Sequence, residues 1–204
     1  MKKSKISMDG LFRQNIALMS GLVTAPIVVA STTAERALVL VVSFFMISYM
    51  SIMLCRFIPR KLVYSLRIVL YAVVAAAMFI PTVLMLNMWL PQTTSDVMIY
   101  IELLVVNSLL LTKTETRFYL KPYGEMAVDV LIFIAGYAVA AFAVGFVREV
   151  LAFGTLFDFR LCDPIMPAAK SPFFGFILLG IFAAVCRAVS GRRRNAPRSA
   201  ERSV

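Results

Sequence analysis

Polar residues interrupt two apolar stretches of the chain, and the two interruptions occupy matching places. The first is Gly21–Pro26, inside an uncharged run near the N-terminus, and the second is Asn107 with Ser108, at the end of a short apolar run that also carries Glu102. A proline removes a backbone donor and disfavours the helical geometry of the residue before it. Any carbonyl that is freed inside a membrane must face protein or a wet cavity. Matching interruptions in two halves of a membrane chain therefore indicate a site near the bilayer midplane.

Glu102 is a carboxylate inside an otherwise apolar run. Such a residue costs roughly 2–3 kcal/mol at mid-span and is by default a functional candidate. The segment Pro91–Asp96 is predicted to be a short loop on the outer side. If the run enters the membrane after that loop, Glu102 lies only about 9 Å inside it. The polar residues from Asn107 to Glu115 are too dense for a helix that faces lipid. We therefore expect the second half of this span to be buried in protein or broken.

Composition places these residues in an integral membrane protein. The 204 residues are 61% hydrophobic and 16% charged, with a mean hydropathy of +0.86, whereas a soluble domain is about 25% charged. Runs of membrane-spanning length predict six spans. They cover 14–34, 37–55, about 66–89, 97–112, about 126–150 and about 172–189. The predicted organisation is a cytoplasmic lead-in (1–13), one six-span membrane domain (14–190) and a basic disordered tail (191–204).

The positive charges predict the orientation of these spans. The net charge is +10, and of the 21 lysines and arginines, 17 share the side of the two termini. The other four are Arg36, Arg148, Arg160 and Lys170. The positive-inside rule places both termini in the cytoplasm. The basic tail has no interleaved aromatic residues, so we expect it to lie at the membrane and not to bind nucleic acid. Because five more apolar runs follow the first, that run is expected to remain as an anchor and not to be a cleaved signal peptide.

Cysteine and histidine usage predicts no metal site and no catalytic residues. Cys55, Cys162 and Cys186 lack metal-ligand spacing, and the chain has no histidine. Histidine-ligated haem, histidine-ligated zinc and histidine-based acid–base chemistry are therefore excluded. The three cysteines are interpreted as small apolar side chains.

These landmarks resemble the RnfE/NqrD-type membrane subunits of the Rnf and Nqr ion-translocating electron-transport complexes, over about residues 10–190. The most specific likeness is REVLAFGTLFD at 148–158, which is similar to the family's REI-x-x-x-GTLFD. Its distinctive residues are Arg148, Glu149, Gly154 and Asp158. Ser171–Phe173 resembles the family's SPF. The segment from Asn15 to Leu22 resembles its N-x-x-L…GLCP, and Val106–Ser108 resembles its TNC.

The resemblance implies an all-α integral membrane protein with six transmembrane helices in two inverted three-helix repeats, the first and fourth helices being interrupted. It implies a homologous membrane subunit of inverted topology as partner, together with other Rnf/Nqr-type subunits, in the bacterial cytoplasmic (inner) membrane. The implied complex moves electrons between ferredoxin or NADH and a membrane acceptor, coupled to Na⁺ or H⁺ movement. In the family, cysteines of GLCP and TNC hold a [2Fe-2S] cluster shared by two subunits.

This chain departs from the family at both cysteine positions. Val23 stands in place of the first cysteine and Ser108 in place of the second. Valine cannot ligate iron, and serine is a poor substitute for thiolate. Glu102 also stands where the family tends to have proline. We therefore expect this chain to keep the frame of the site without cluster ligands, and expect no cofactor of its own.

Two functional hypotheses follow. In the first, the chain is a non-catalytic subunit of an Rnf/Nqr-like complex and serves as a scaffold or as half of an ion path. The candidate residues of that path and of its helix break are Thr24, Pro26, Glu102, Asn107 and Ser108, because oxygen ligands suit Na⁺ better than iron. In the second, the chain is a redox-independent transporter or the substrate-binding membrane component of an importer.

Overall fold

The computed structural model describes residues 24–59, 61–107, 113–157, 159–160 and 163–200, with side chains described as far as Ala188 in the last range. The chain is mostly helical in these ranges. Seven α-helices follow one another in the described residues: α1 Thr24–Ala30, α2 Ala34–Cys55, α3 Tyr64–Trp89, α4 Pro91–Val105, α5 Thr114–Thr116, α6 Tyr123–Phe153 and α7 Pro172–Ala200. A first 3₁₀ helix, Phe118–Leu120, precedes α6, and a second, Pro167–Lys170, precedes α7.

Three of these helices are long and apolar enough to cross a membrane, namely α2, α3 and α6. They confirm the predicted helices at 37–55, 66–89 and 126–150. The first part of α7, Pro172–Ala188, is a shorter apolar helix. The helix α7 then continues past Ser190, into the segment that the sequence predicts to be a disordered tail, where arginine and alanine favour helix.

The two interrupted elements are α1, which is described from Thr24 to Ala30, and α4. Helix α4 has 15 residues and ends at Val105, two residues before Asn107. The prediction of a loop over 91–96 is wrong, because Pro91 begins α4. A proline is favoured in the first turn of a helix, where its missing N–H would have no partner in any case. Glu102 therefore lies about 16 Å from the start of its helix, and not the 9 Å that the predicted loop implied.

Helix α2 lies at the centre of the described structure and packs against α3, α4 and α6. Phe44 of α2 stacks on Tyr137 of α6, with ring centroids 4.1 Å apart. The two helices also approach closely at Gly145, where an added Cβ would lie 3.0 Å from the Cβ of Ala37. Helix α1 packs against α4 and α7, so the first interrupted element is a neighbour of the second.

A short irregular connection follows α6. Gly154 ends the helix in the left-handed conformation, with φ 67°, and its N–H donates to the carbonyl of Val150. A two-residue antiparallel hairpin, β1 Thr155–Leu156 with β2 Phe159–Arg160, departs from the all-α prediction. The N–H of Met166 then donates to the carbonyl of Leu151, which returns the chain to the end of α6.

Candidate functional site

The interruption after α4 is fastened to the central helix. Asn107 is only 2% exposed, and its side-chain amide donates to Ser48 Oγ at 3.0 Å and to the carbonyl of Leu104 at 2.6 Å. The Leu104 carbonyl is one of those left without a partner where a helix ends, so Asn107 satisfies it. The break is therefore a defined structure, held against a buried hydroxyl of α2.

Several buried hydroxyls have no partner among the described residues, among them those of Ser31, Thr94 and Tyr137. Two more belong to Ser51, one helical turn after Ser48 on α2, and to Thr114, at the start of α5. A buried hydroxyl without a hydrogen bond costs roughly 1–3 kcal/mol. Ser43, by contrast, donates to the carbonyl of Val39 one turn earlier in its own helix. Ser51 thus carries an oxygen atom with spare capacity on the helix that holds Asn107, and such an atom is a suitable ligand for water or a hard cation.

The structure brings some of the predicted site residues together and separates others. Thr24 lies in the first turn of α1 and Pro26 is buried in the same helix, which packs against α4. Glu102 lies on the exposed face of α4, because α4 buries Ile101 and Leu104 on its opposite face. Its carboxylate therefore points away from the bundle that holds Asn107. Val23, Ser108 and Asp158 lie outside the described residues.

Among the residues that the structure describes, Arg148 has the largest fully buried side chain, with no exposed surface. Its guanidinium donates to two carbonyls near the end of α1, Val28 at 2.6 Å and Ser31 at 3.3 Å. It also donates to three carbonyls at the end of the second 3₁₀ helix: Ala169 at 3.0 Å, Lys170 at 3.0 Å and Ser171 at 3.2 Å. The carbonyl ends of helices carry partial negative charge, so a cation there is favoured. Arg148 thereby joins α1 to the connection before α7.

The carboxylate of Glu149 binds the N-terminal end of α2, which faces α1. This carboxylate, in a side chain 3% exposed, accepts a hydrogen bond of 2.6 Å from the backbone N–H of Ala34, the first residue of α2. Helix N-termini carry partial positive charge and unpaired N–H groups. Arg148 and Glu149, adjacent in sequence, thus bind two helix ends of opposite polarity across the turn at 31–33. We call these two side chains and the backbone groups they bind the Arg148 anchor.

A related arrangement lies at the opposite end of the α2–α6 pair. Arg56, directly after α2, donates to the carbonyl of Tyr119 at 2.9 Å, and the hydroxyl of Tyr119 donates to the carbonyl of Cys55. Burial raises the pKa of the Tyr119 hydroxyl, which keeps its proton available for that bond. We call Arg56, Tyr119 and the backbone groups they bind the Arg56 anchor. At both ends of the pair, an arginine at the C-terminal end of one central helix binds the segment that precedes the other.

Ion pairs surround the Arg56 anchor. Glu115 accepts from Arg67 Nε at 2.9 Å and Nη2 at 3.1 Å, and from the hydroxyl of Tyr71. Asp129, 2% exposed, accepts from Arg117 at 2.6 Å and lies 2.9 Å from Lys121 Nζ. Each buried carboxylate is therefore paired, as its burial requires.

Sequence reasoning singled out Arg148 and Glu149 through the family motif, but it missed the charged residues at the other end. The sequence analysis counted three arginines of that end only as positive charges on one side of the membrane, namely Arg56, Arg67 and Arg117. One signal was available: Glu115 and Asp129 are acidic residues within or beside the same basic segments. Acidic residues there indicate specific pairing and not only orientation.

The cysteines do not assemble into a metal site in the described part of the chain. Cys55 and Cys186 are both free, Cys55 being buried at the end of α2 and Cys186 partly buried on α7, while Cys162 lies outside the described residues. No group of three or more metal-ligating side chains occurs among the described residues.

Comparison with known proteins gives a consistent set of relatives. A family model described as "Rnf-Nqr subunit, membrane protein" matches residues 3–183. The chain is 28% identical over 150 residues to the E-type subunit of the ion-translocating oxidoreductase complex of Edwardsiella ictaluri (strain 93-146). It is 27% identical over 154 residues to the protein of the same name from Yersinia pseudotuberculosis serotype O:3 (strain YPIII). These matches cover 74% and 76% of this chain but only 64% and 66% of the relatives, so the chain spans just under two thirds of their length.

Proposed function

The chain belongs to the Rnf-Nqr family of membrane subunits, and from that premise we propose that it is an integral membrane subunit of a complex that couples electron transfer to the translocation of Na⁺ or H⁺. Within that complex it serves as a scaffold or as half of an ion path, without iron–sulfur ligands of its own. The names of its relatives support the kind of complex. The observation that carries the role is the break at Asn107, whose side-chain amide donates to the buried hydroxyl of Ser48.

The proposed architecture has six spans in two inverted halves, with both termini in the cytoplasm of a bacterium and the spans in its inner membrane. The two anchors support the inverted halves. Arg148 at the end of α6 binds the segment before α2, and Arg56 at the end of α2 binds the segment before α6. Such reciprocal contacts are the relation that a twofold axis in the membrane plane would produce.

The residues at the family's cluster positions do not fit a [2Fe-2S] cluster. Val23 has no donor atom, and Ser108 offers a hydroxyl where the family offers thiolate. Cys55 lies at the end of α2, where its carbonyl accepts from Tyr119, and Cys186 lies on α7. The proposed role therefore routes no electron through this chain. Other subunits carry the electrons.

An ion path is the role that the oxygen donors suit. A hard cation that leaves water needs oxygen atoms to replace its hydration shell. Asn107 fixes the end of α4 against Ser48 of α2. Ser51, one turn further along α2, and Thr114, seven residues after Asn107 in the chain, carry buried hydroxyl oxygens without a partner among the described residues. In this role the chain binds and orients the ion, and the surrounding apolar helices exclude water from the rest of the span.

The test is purification of the chain with its partner subunits, followed by measurement of iron, acid-labile sulfide and reducible centres. We expect Ser108→Ala to leave iron content and the spectra of the complex unchanged. A stoichiometric centre that disappears with Ser108→Ala would contradict the absence of ligands in this chain.

Ion movement is tested in membrane vesicles that contain the whole complex. We expect Asn107→Ala to slow redox-driven Na⁺ or H⁺ uptake at least several-fold, because the end of α4 loses its attachment to Ser48. Ser43→Ala is the matched control, since Ser43 is equally buried in α2 but bonds only to its own helix. Uptake by vesicles holding this chain alone, with no redox partner, would instead establish the redox-independent transporter.

A further inference from the structure

Glu102 lies within the hydrocarbon core in the proposed arrangement. Helix α4 begins at Pro91, two residues after Trp89, an exposed aromatic residue at the end of α3. Aromatic residues of this kind mark the membrane–water interface. Glu102 is eleven residues beyond Pro91, or about 16 Å at 1.5 Å per residue, and about 9 Å beyond Asp96, whose ion pair with Arg36 is exposed. Since the hydrocarbon core is about 30 Å thick, the carboxylate lies inside it on either measure.

The face of α4 that carries Glu102 is not covered by the residues that the structure describes. Ile99, Leu103 and Val106 are exposed beside it, while the opposite face of α4 is buried against α2 and α3. Among the described residues, Glu102 makes no hydrogen bond and no ion pair. Arg36, which reaches α4 from α2, is bound to Asp96 near the start of the helix. Within the described structure, the Glu102 carboxylate therefore has no hydrogen-bonding or ionic partner.

Lipid is a poor occupant for this face. Acyl chains offer no hydrogen-bond donor, and ionisable residues in membranes turn to a bundle interior or pair with another polar group. A second copy of this chain that packed through the same face would bring two Glu102 carboxylates together, and like charges repel. The complementary occupant is a different protein surface, apolar around a central donor.

We propose that Ile99, Glu102, Leu103 and Val106 form the docking surface for a membrane-spanning helix of a different subunit, which places a lysine, arginine, asparagine or glutamine donor against Glu102. The inference rests on the proposed function only in taking that subunit to be part of the same redox complex. Glu102 fixes the register of the two helices, and the apolar neighbours supply the packing area.

The test is site-specific photo-crosslinking in membranes that contain the assembled complex. A photoreactive amino acid replaces Ile99 or Leu103 in turn, and Ile181 as a control. Ile181 is an exposed residue on α7, about 14 Å from the start of its helix and therefore at similar depth. We expect products with a different membrane subunit from positions 99 and 103. In a Glu102→Leu background those products fall at least tenfold, with Glu102→Gln they fall only a few-fold, and products from position 181 stay unchanged.

The outcomes separate this proposal from the proposed function. Products with a second copy of the chain, products with lipid only, or products that persist in full with Glu102→Leu overturn the docking surface. If redox-driven Na⁺ or H⁺ uptake by the complex still depends on Asn107 while those results are found, the proposed function stands and the docking surface fails. If Glu102-dependent products form with a subunit that belongs to no redox complex, the docking surface stands and the proposed function fails.

Discussion

The two ends of the α2–α6 pair hold their connections by different chemistry. At one end Arg148 is fully buried and binds five backbone carbonyls, with Glu149 on a backbone N–H. At the other end Arg56 binds one carbonyl and is surrounded by ion pairs, whose basic side chains are 14–22% exposed. An arginine buried without a carboxylate needs every donor filled, whereas one with access to water does not.

The difference explains why arginine occupies position 148. Its planar guanidinium presents five N–H donors in a fixed fork, and the carbonyls of α1 and the second 3₁₀ helix converge on that fork. Lysine has three donors on one atom and cannot reach both helix ends. Position 148 thus couples the first interrupted helix to the connection before α7 through the number and geometry of its donors.

The largest predicted effect is that of Arg148→Leu. It leaves five backbone carbonyls without this donor, three of them in buried residues, and hydrogen bonds to charged groups contribute about 1.5–3 kcal/mol each. We expect a loss of at least about 3 kcal/mol of unfolding free energy, measured by equilibrium unfolding in mixed detergent micelles. Arg148→Lys is expected to recover only part of it, because it keeps the charge but not the fork.

The same substitution at the Arg56 anchor tests whether the two ends of the α2–α6 pair differ in stability. Arg56→Leu removes a single carbonyl contact at a partly exposed position, so we expect a loss of about 1 kcal/mol. Equal losses at the two positions would show that the two ends do not differ in the way the contacts indicate.

The second-largest effect is expected from Gly175→Ala, which disturbs the packing around the Arg148 anchor without removing a charged group. A Cβ on Gly175 would lie 2.5 Å from the carbonyl oxygen of Val28 and 3.2 Å from Arg148 Nη1. Gly175→Ala must therefore push α7 away from α1 or weaken the bond between Arg148 and Val28. Overpacking of this kind costs about 1–3 kcal/mol.

Gly180→Ala is the matched control in the same helix. An added Cβ there meets nothing within 4 Å, so we expect a neutral or slightly stabilising change in unfolding free energy. If the two alanine variants unfold alike in the same detergent series, close packing of α7 on the Arg148 anchor is refuted.

The sequence predicts the long helices but not the contacts that hold their ends together. The length and apolarity of runs predict α2, α3 and α6 because the membrane itself sets those quantities. The end of α4 at Asn107 was also foreseeable from polar density. Counting charges, however, uses only the sign of each charge and its side of the membrane. It therefore predicts the orientation of the span that ends at Arg56, but not the contact that Arg56 makes. The partners of Arg148 are backbone carbonyls, which every residue carries, so no side-chain pattern reveals them.

The position of Glu102 along α4 gives a second reason why the sequence alone did not reveal the site. The sequence places Pro91 in a loop, although a proline equally suits the first turn of a helix, and sequence alone does not separate the two. That choice displaces Glu102 by five residues along its helix. The docking surface becomes visible only when the start of α4 and the buried face of Ile101 and Leu104 are both known.

The smallest predicted effect tests whether burial, and not location at one end of the bundle, sets the strength of an anchor. Arg36 and Asp96 pair at 2.6 Å at the same end as Arg148, but their side chains are 36% and 54% exposed. An exposed ion pair contributes about 0–1 kcal/mol and weakens with salt. We expect Asp96→Asn to change the unfolding free energy by less than about 1 kcal/mol, and the difference from the parent to shrink as salt rises from about 0.05 M to about 0.5 M. The loss caused by Arg148→Leu should not change over that range, because its bonds lie out of reach of ions. A large, salt-independent loss with Asp96→Asn would assign the strength of the Arg148 anchor to its end of the bundle and not to its burial.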